Sequence, residues 1–240
     1  MEKNRPLKYR RVLLKISGEA IEGSETPFDL DTVRRIASEI GELQARGAEI
    51  GIVIGGGNIL RGAKLAAYGL DRGQSDYMGM LATIINGLLF ENVLKSRGVW
   101  AVLQSALPIP TVAEEIFLKK TIEMMQKGAV VIFAGGTGSP YFTTDTAAAL
   151  RAIEIGAHVL LKATKVDGVF DDDPELNRDA LFLRSLRYDD LLSRQLKVMD
   201  MAAVSMCRDH ALPILVFNIY QPGNIAKVLE GEQIGTIIKE

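Results

Sequence analysis

Short apolar runs alternate with longer amphipathic stretches along this 240-residue chain. Runs rich in Val, Ile and Leu recur near 11–16, 49–54, 99–103, 129–134, 158–162, 214–218 and 235–238. Their near-continuous hydrophobicity is the pattern of strands buried on both faces. Helical spacings lie between most of the earlier ones. Val33, Ile36, Ile40 and Leu43 form one apolar stripe, with Asp31 placed to cap its start and Gly47 to end it. Further helices are predicted over 75–95, 114–126 and from Thr144 to just before Gly156. The alternation predicts an α/β fold: one three-layer αβα domain, residues 1–240, with a mostly parallel central sheet and helices on both faces. Asp167-Gly168 has the sequence of a tight hairpin turn, and Asp171-Asp172-Asp173-Pro174 opens a polar loop after it. This irregular segment divides the domain into an N-terminal part, about 10–157, and a C-terminal part, about 158–240.

The predicted helix around 78–94 carries Met78, Met80, Leu81, Ile84, Ile85, Leu88, Leu89, Phe90, Val93 and Leu94, which leave a narrow polar stripe near Thr83 and Asn86. A helix apolar on most sides is buried on most sides. Either it runs through the centre of the monomer or a second subunit covers it, and in a chain this small a subunit interface is the favoured reading.

Composition narrows the setting. Hydrophobic residues make up 48% of the chain, enough for one sizeable core. A net charge of −2 gives no global attraction to nucleic acid or to an anionic membrane, so any anion site has to be local. No run of about 18 apolar residues for a membrane span is read here, and residues 1–11 hold no signal-peptide core. The one cysteine, Cys207, falls in a helical apolar pattern and reads as a packed thiol. A cytoplasmic location is expected.

Three of the strand-like runs end in loops made of glycine and hydroxyl residues: Lys15-Ile16-Ser17-Gly18, Gly55-Gly56-Gly57-Asn58 and Gly135-Gly136-Thr137-Gly138-Ser139. Backbone N–H groups exposed by glycine, beside hydroxyls and a lysine, hold phosphate. In open α/β sheets ligands bind beyond the carboxyl ends of the strands, where all three loops and Thr164 fall. Phosphoryl transfer is therefore the first functional hypothesis. The common phosphate motifs are excluded. Gly57-Asn58-Ile59-Leu60-Arg61-Gly62-Ala63-Lys64 has one residue too many for a P-loop and no hydroxyl after its lysine, and the dinucleotide fingerprint is absent. Taken singly, several residues have plainer readings. Lys15 could be a strand-end lysine reaching solvent. Arg61 could be a surface arginine. Asp145, in Thr143-Thr144-Asp145-Thr146, fits a helix cap nearly as well as a catalytic carboxylate. Lys162 alone would be a solvated lysine. His158 and His210 share no metal-ligand spacing, the aspartates 171–173 read as a solvated loop, and no residue is assigned as a metal ligand.

Together the segments match a family. Arg11-Val-Leu-Leu-Lys15-Ile-Ser-Gly-Glu-Ala20, Val53-Ile-Gly-Gly-Gly-Asn-Ile-Leu-Arg61-Gly62, Asp76-Tyr-Met-Gly-Met-Leu-Ala-Thr83, Thr137-Gly-Ser-Pro-Tyr-Phe-Thr-Thr-Asp145, Leu161-Lys-Ala-Thr-Lys-Val-Asp-Gly-Val-Phe170 and Leu196-Lys-Val-Met-Asp200 resemble the bacterial uridylate kinases (UMP kinases) of the amino-acid kinase superfamily. The resemblance implies the amino-acid kinase fold. It also implies a nucleoside monophosphate kinase, which transfers the γ-phosphoryl of ATP to UMP, giving UDP and ADP, in pyrimidine nucleotide biosynthesis. Lys15, Ile16, Ser17, Gly18, Gly57, Arg61, Thr164, Phe170 and Asp173 would line the ATP side. Gly56, Asp76, Thr137, Gly138, Ser139, Pro140, Tyr141, Phe142, Thr143 and Thr144 would hold UMP, with Asp76 on the ribose. Lys15, Asp145, Lys162 and Arg61 would act in catalysis. The family uses Mg²⁺, forms hexamers built from dimers, is commonly inhibited by UTP and is commonly activated by GTP. Two positions depart from it. Ser139 stands where many members have Asn, and the stretch 22–29 lacks the Gly-Phe-Gly common in the GTP-response region, which removes the basis for expecting a GTP response. Two rival readings remain: a carboxylate kinase of the same superfamily, whose substrate Asp76 would repel, and a non-catalytic nucleotide sensor on the same scaffold.

Overall fold

Val12, Leu13, Leu14 and Ile16 are all buried, and the strand they form, β1 (Arg11–Ile16), lies at the middle of a nine-stranded sheet. The computed structural model describes residues 5–60, 68–172, 177, 179–194, 196 and 198–240. After β1 the chain builds α1 (Leu30–Ala45), β2 (Glu49–Ile54), α2 (Arg72–Ser96), β3 (Ala101–Ser105), β4 (Glu114–Glu115), α3 (Leu118–Gln126), β5 (Val130–Ala134), α4 (Thr144–Glu154) and β6 (Val159–Thr164). A two-stranded hairpin of β7 (Val169–Phe170) and β8 (Phe182–Leu183) follows. Then come β9 (Ser185–Arg187), α5 (Tyr188–Ser193), α6 (Met201–Asp209), β10 (Ile214–Asn218), α7 (Asn224–Leu229) and β11 (Thr236–Lys239). The sheet order is β4-β3-β5-β2-β1-β6-β10-β11-β9, parallel throughout except between β10 and β11. With helices on both faces this is a three-layer α/β fold.

The period-2 alternation of strand side chains divides the interior into two layers. Val12, Leu14 and Ile16 of β1 enter the layer that α1, α2 and α7 cover, and Leu13 enters the one beneath α4 and α6. Lys15 shares the parity of Leu13. On β6, Leu160 lies on the α4 side and Lys162 shares its parity. Lys15 and Lys162 are register partners across the β1–β6 pair. The fold thus sets two lysines side by side on one face of its central strands.

Several local expectations are corrected. The cap of α1 is Asp29, not Asp31: its carboxylate accepts from Asp31 N, Thr32 N and the Thr32 hydroxyl. The stretch 114–126 is not one helix. Glu114–Glu115 pairs with Gln104–Ser105 as a short charged edge strand, and the helix begins at Leu118. Asp167-Gly168 does not turn a hairpin, because the strand after it, Val169–Phe170, pairs with Phe182–Leu183 further along the chain. Gly168 is needed there for close approach: a Cβ would lie 2.6 Å from Thr236 Oγ1 and 2.7 Å from the Phe182 ring.

The helix α2 divides its apolar residues between an inner and an outer face. Thr83 and Asn86 are buried, and the apolar residues Tyr77, Met78, Leu81, Ile85 and Leu88 are 38–48% exposed. The polar pair faces inward because it has partners there, described below. By length and composition this helix could cross a membrane, contrary to the sequence reading. Its inner face packs against the sheet through Met80, Ile84, Phe90 and Leu94. Phe90 is fully buried. We expect Phe90→Ala to lower unfolding free energy by about 3–5 kcal/mol, and Leu181→Ala, on an exposed loop, by no more than about 0.5 kcal/mol, both read from urea unfolding midpoints.

Candidate active site

The strand order β5-β2-β1-β6 sets four parallel carboxyl ends side by side. Three of them run directly into the glycine-rich loops, and Thr164 ends the fourth. Gly18 could not be any other residue: a Cβ would come within 2.6 Å of both Gly57 N and Asn58 Oδ1. The loops after β1 and β2 therefore pack backbone to backbone. Gly135 and Gly136 follow each other at φ +76° and +59°, left-handed backbone that glycine adopts without strain.

The inward polar residues of α2 brace these loops. Asn86 donates to Gly55 O at 2.6 Å and to Asn58 Oδ1 at 2.7 Å. The Thr83 hydroxyl accepts from Gly135 N at 2.8 Å and donates to Met80 O. Asn58 in turn donates to Pro27 O at 2.9 Å, tying the segment 22–29 to the loop after β2.

A cavity of about 210 Å³ opens beside the loops. Gly56, Asp76, Thr137, Ser139, Phe142, Thr143 and Thr144, which the sequence reading groups together, share its lining. Gly57, grouped there with the other nucleotide, lines it too. Leu60, Arg72, Gly79, Met80, Thr83 and Gly136 complete the wall. Arg72, which the sequence reading missed, meets both oxygens of Asp76 at 3.0 Å from Nε. Its position four residues before Asp76 on a helix was the available signal. Asp76 also accepts from Tyr141 N at 2.8 Å, which fastens the 137–142 loop to α2 at Tyr141, a residue held at φ +72°.

The chemical centre lies beneath α4. Lys15 Nζ and Lys162 Nζ each approach Asp145, at 2.8 Å to Oδ1 and 2.8 Å to Oδ2 respectively. One carboxylate thus bridges two ammonium groups from adjacent strands, all three side chains only 10–14% exposed. Burial works against the charge on Asp145, but the two lysines outweigh it and hold the carboxyl below the usual carboxylate range. Lys162 is pushed down from the ordinary lysine value, chiefly by burial and further by Lys15, with Asp145 opposing. Asp145 also lies in the first turn of α4, and the cap of that helix is the neighbouring Thr143, whose hydroxyl accepts from Asp145 N at 3.0 Å. The cap and the candidate carboxylate are therefore two different residues.

Elsewhere the hydroxyl of Thr164 donates to Val166 O at 2.8 Å. Phe170 lies apart on the β7–β8 hairpin, edge-to-face with Phe182 at 5.3 Å. Ile16 is buried in the core, so only its backbone can reach a ligand. Arg61 and Asp173 lie outside the described residues. Cys207 is buried and unbonded, its thiol pushed up to about 12 by burial and then by the charge of Asp200.

Three glycine-rich loops, a cavity walled in part by the Arg72–Asp76 pair and a buried Lys–Asp–Lys centre suit a phosphotransferase, and comparison with known proteins agrees. A "Uridylate kinase" from Xanthomonas oryzae pv. oryzae is 50% identical over 234 residues, 97% of this chain and 98% of that protein. A chloroplastic uridylate kinase of Arabidopsis thaliana is 50% identical over 235 residues, 97% of this chain and 69% of that protein. The crystal structure of a UMP kinase from Bacillus anthracis superposes with a TM-score of 0.93 at 39% identity, covering 96% of both chains. Residues 10–218 match the amino acid kinase family, and the chain belongs to that family.

Proposed function

We propose that this chain is a UMP kinase that transfers the γ-phosphoryl of ATP to UMP in pyrimidine nucleotide synthesis. The observation that carries the mechanism is the Lys15–Asp145–Lys162 bridge at the mouth of the glycine loops. The N-terminal part, about 10–157, supplies the UMP cavity, and the C-terminal part, about 158–240, supplies much of the ATP side. UMP takes the cavity lined by Gly56, Asp76 and the segment 137–144, with its ribose hydroxyls on Asp76. ATP lies along Lys15 to Gly18, Gly57, Thr164 and Phe170, with Arg61 and Asp173 as further contacts.

No general base is required. The attacking oxygen belongs to a phosphate monoester already ionised at neutral pH. The barrier is then the approach of two anions and the charge on the transferring group, which positioning and fixed cations relieve. Asp145, held ionised between two ammonium groups, is unsuited to proton abstraction. It orients Lys15 and Lys162, which neutralise the phosphoryl oxygens together with the glycine amides. Magnesium enters with ATP as part of the substrate. Asp145 and Asp76 already hold protein cations or amides, so phosphate oxygens and water are its natural ligands. A carboxylate substrate fits less well, because Asp76 would stand against it in the cavity.

The exposed apolar stripe of α2 supports assembly through that helix into dimers, and further into a hexamer of dimers. With Cys207 as the one cysteine, no intrachain disulfide can form, which supports a reducing compartment such as the cytoplasm. UTP, as an analogue of the product, is a reasonable inhibitor of the UMP cavity. The segment 22–29 carries no feature that argues for a GTP response.

We expect ADP release, in a coupled assay with ATP and Mg²⁺, to require UMP. Release with acetylglutamate but not UMP would assign a carboxylate kinase, and tight binding of both nucleotides without UDP would assign a sensor. Lys15→Ala is expected to raise the barrier by roughly 3–4 kcal/mol, about 10²–10³ in kcat, while UMP affinity measured by calorimetry changes far less. Near-normal turnover would remove Lys15 from the mechanism. The double variant Leu81→Asp, Ile85→Asp is expected to sediment as a smaller species than the parent chain. Identical sedimentation of the two would rule out α2 as the interface.

A further inference from the structure

Asp200 sits outside both nucleotide subsites, yet three hydrogen bonds end on it. Its Oδ1 accepts from Ala203 N at 2.8 Å, which caps α6. Its Oδ2 accepts from the hydroxyls of Thr143 and of Thr146, the latter at 2.9 Å. Thr143 and Thr146 stand at the start of α4, on either side of Asp145. Because the Thr143 proton points to Asp200, the oxygen lone pairs of Thr143 are left to receive Asp145 N and Thr146 N. Two residues before Asp200, the carbonyl of Val198 accepts from Lys162 Nζ. The segment 198–200 therefore grips both partners of the central cluster from behind: Lys162 directly, and Asp145 through Thr143.

We propose that Asp200 is a positioning residue for phosphoryl transfer, fixing the first turn of α4 so that Asp145 bridges Lys15 and Lys162. It touches no nucleotide. This rests on the reading of Lys15, Asp145 and Lys162 as the catalytic cluster. A plain helix cap would need only the Ala203 bond. The two threonine bonds cross from α6 to α4 and serve no cap on α6. The carboxylate also contributes charge. It is one of the groups that help Lys162 keep its proton, alongside Asp145 and against Lys15 and burial. These are the charged groups facing Lys162 from β1, from α4 and from the segment before α6.

Asp200→Asn tests the idea with little threat to folding, since Asn is as good a helix cap as Asp. Its single carbonyl oxygen cannot serve two hydroxyls and an amide together. The expected result is a fall in kcat of about tenfold with the KM for ATP within about twofold. The alkaline limb of the kcat–pH profile should also move to lower pH, because losing the Asp200 charge lets Lys162 deprotonate sooner. Thr143→Val should give a similar loss in kcat and Thr143→Ser should restore it. The Thr143→Val, Asp200→Asn double variant should be no worse than the poorer single one, as expected for one chain of contacts. Normal kcat with an unmoved alkaline limb, whatever the melting temperature, would overturn the proposal, as would independent losses that multiply. Asp145→Asn, measured alongside, separates the two levels. If it too turns over normally, the catalytic cluster itself is misassigned; if it is inactive while Asp200→Asn is normal, only the role of Asp200 falls.

Discussion

Two ammonium groups at one register of adjacent central strands cannot coexist in a dry interior without an anion between them. Asp145 is that anion, and the geometry around it follows from this need. Each ion pair at 2.8 Å has a gross Coulomb attraction of ~6 kcal/mol at an effective dielectric of 20. Removing each ion from water costs several kcal/mol in return. The cluster therefore contributes little net stability. It contributes a fixed, concentrated positive field at the strand ends, where an incoming phosphoryl group can share the lysines with a carboxylate already in place. The strands β1 and β6 hold the lysines rigidly, and α4 delivers the carboxylate from the facing layer.

The rest of the site is built from closely packed glycine backbone braced by buried polar side chains. Strand ends give way to glycine where the next loop presses in, as at Gly18 against Gly57 and Asn58. Loops without side chains would be poorly ordered alone. Here Asn86 and Thr83 hold them by their carbonyl and amide groups. A buried amide side chain with every bond satisfied is stabilising, whereas the same group left unpaired would be expensive. The charged wall of the cavity follows the same logic: Asp76 is held by Arg72 on one side and the Tyr141 amide on the other.

Much of this was legible in the chain. The long strands announced themselves as apolar runs and α1 by its apolar stripe, while α2 showed itself only as a long apolar stretch, and the glycine loops marked the carboxyl edge of the sheet. The family resemblance named Lys15, Asp145 and Lys162 as catalytic candidates, but each residue taken alone also had a plain reading. What separates the readings is the β1–β6 register, a long-range fact that no local pattern contains. Asp200 shows the same limit, because its cap signal was local and its threonine partners lie more than fifty residues away. Thr83 and Asn86 were legible as a narrow polar stripe on α2, but the direction it faces was not, because their partners, Gly55 O and Gly135 N, lie on loops far away in sequence. The edge strand at Glu114–Glu115 was missed because its two charged residues have no strand propensity of their own and pair only because the flank of β3 is open.

The helix α2 is bolted to the loops by Asn86 on one strand end and Thr83 on another, so its rotation about its own axis is set from within. Adjacent residues on a helix differ by about 100°, and a slip of one position would bring Ile85 or Gly87 to the carbonyl of Gly55. The greasy outer row of Met78, Leu81, Ile85 and Leu88 is consequently locked at one angle to the nucleotide cleft. Whatever seats on that row therefore meets it at a fixed angle to the glycine-rich loops, like a key cut against one ward.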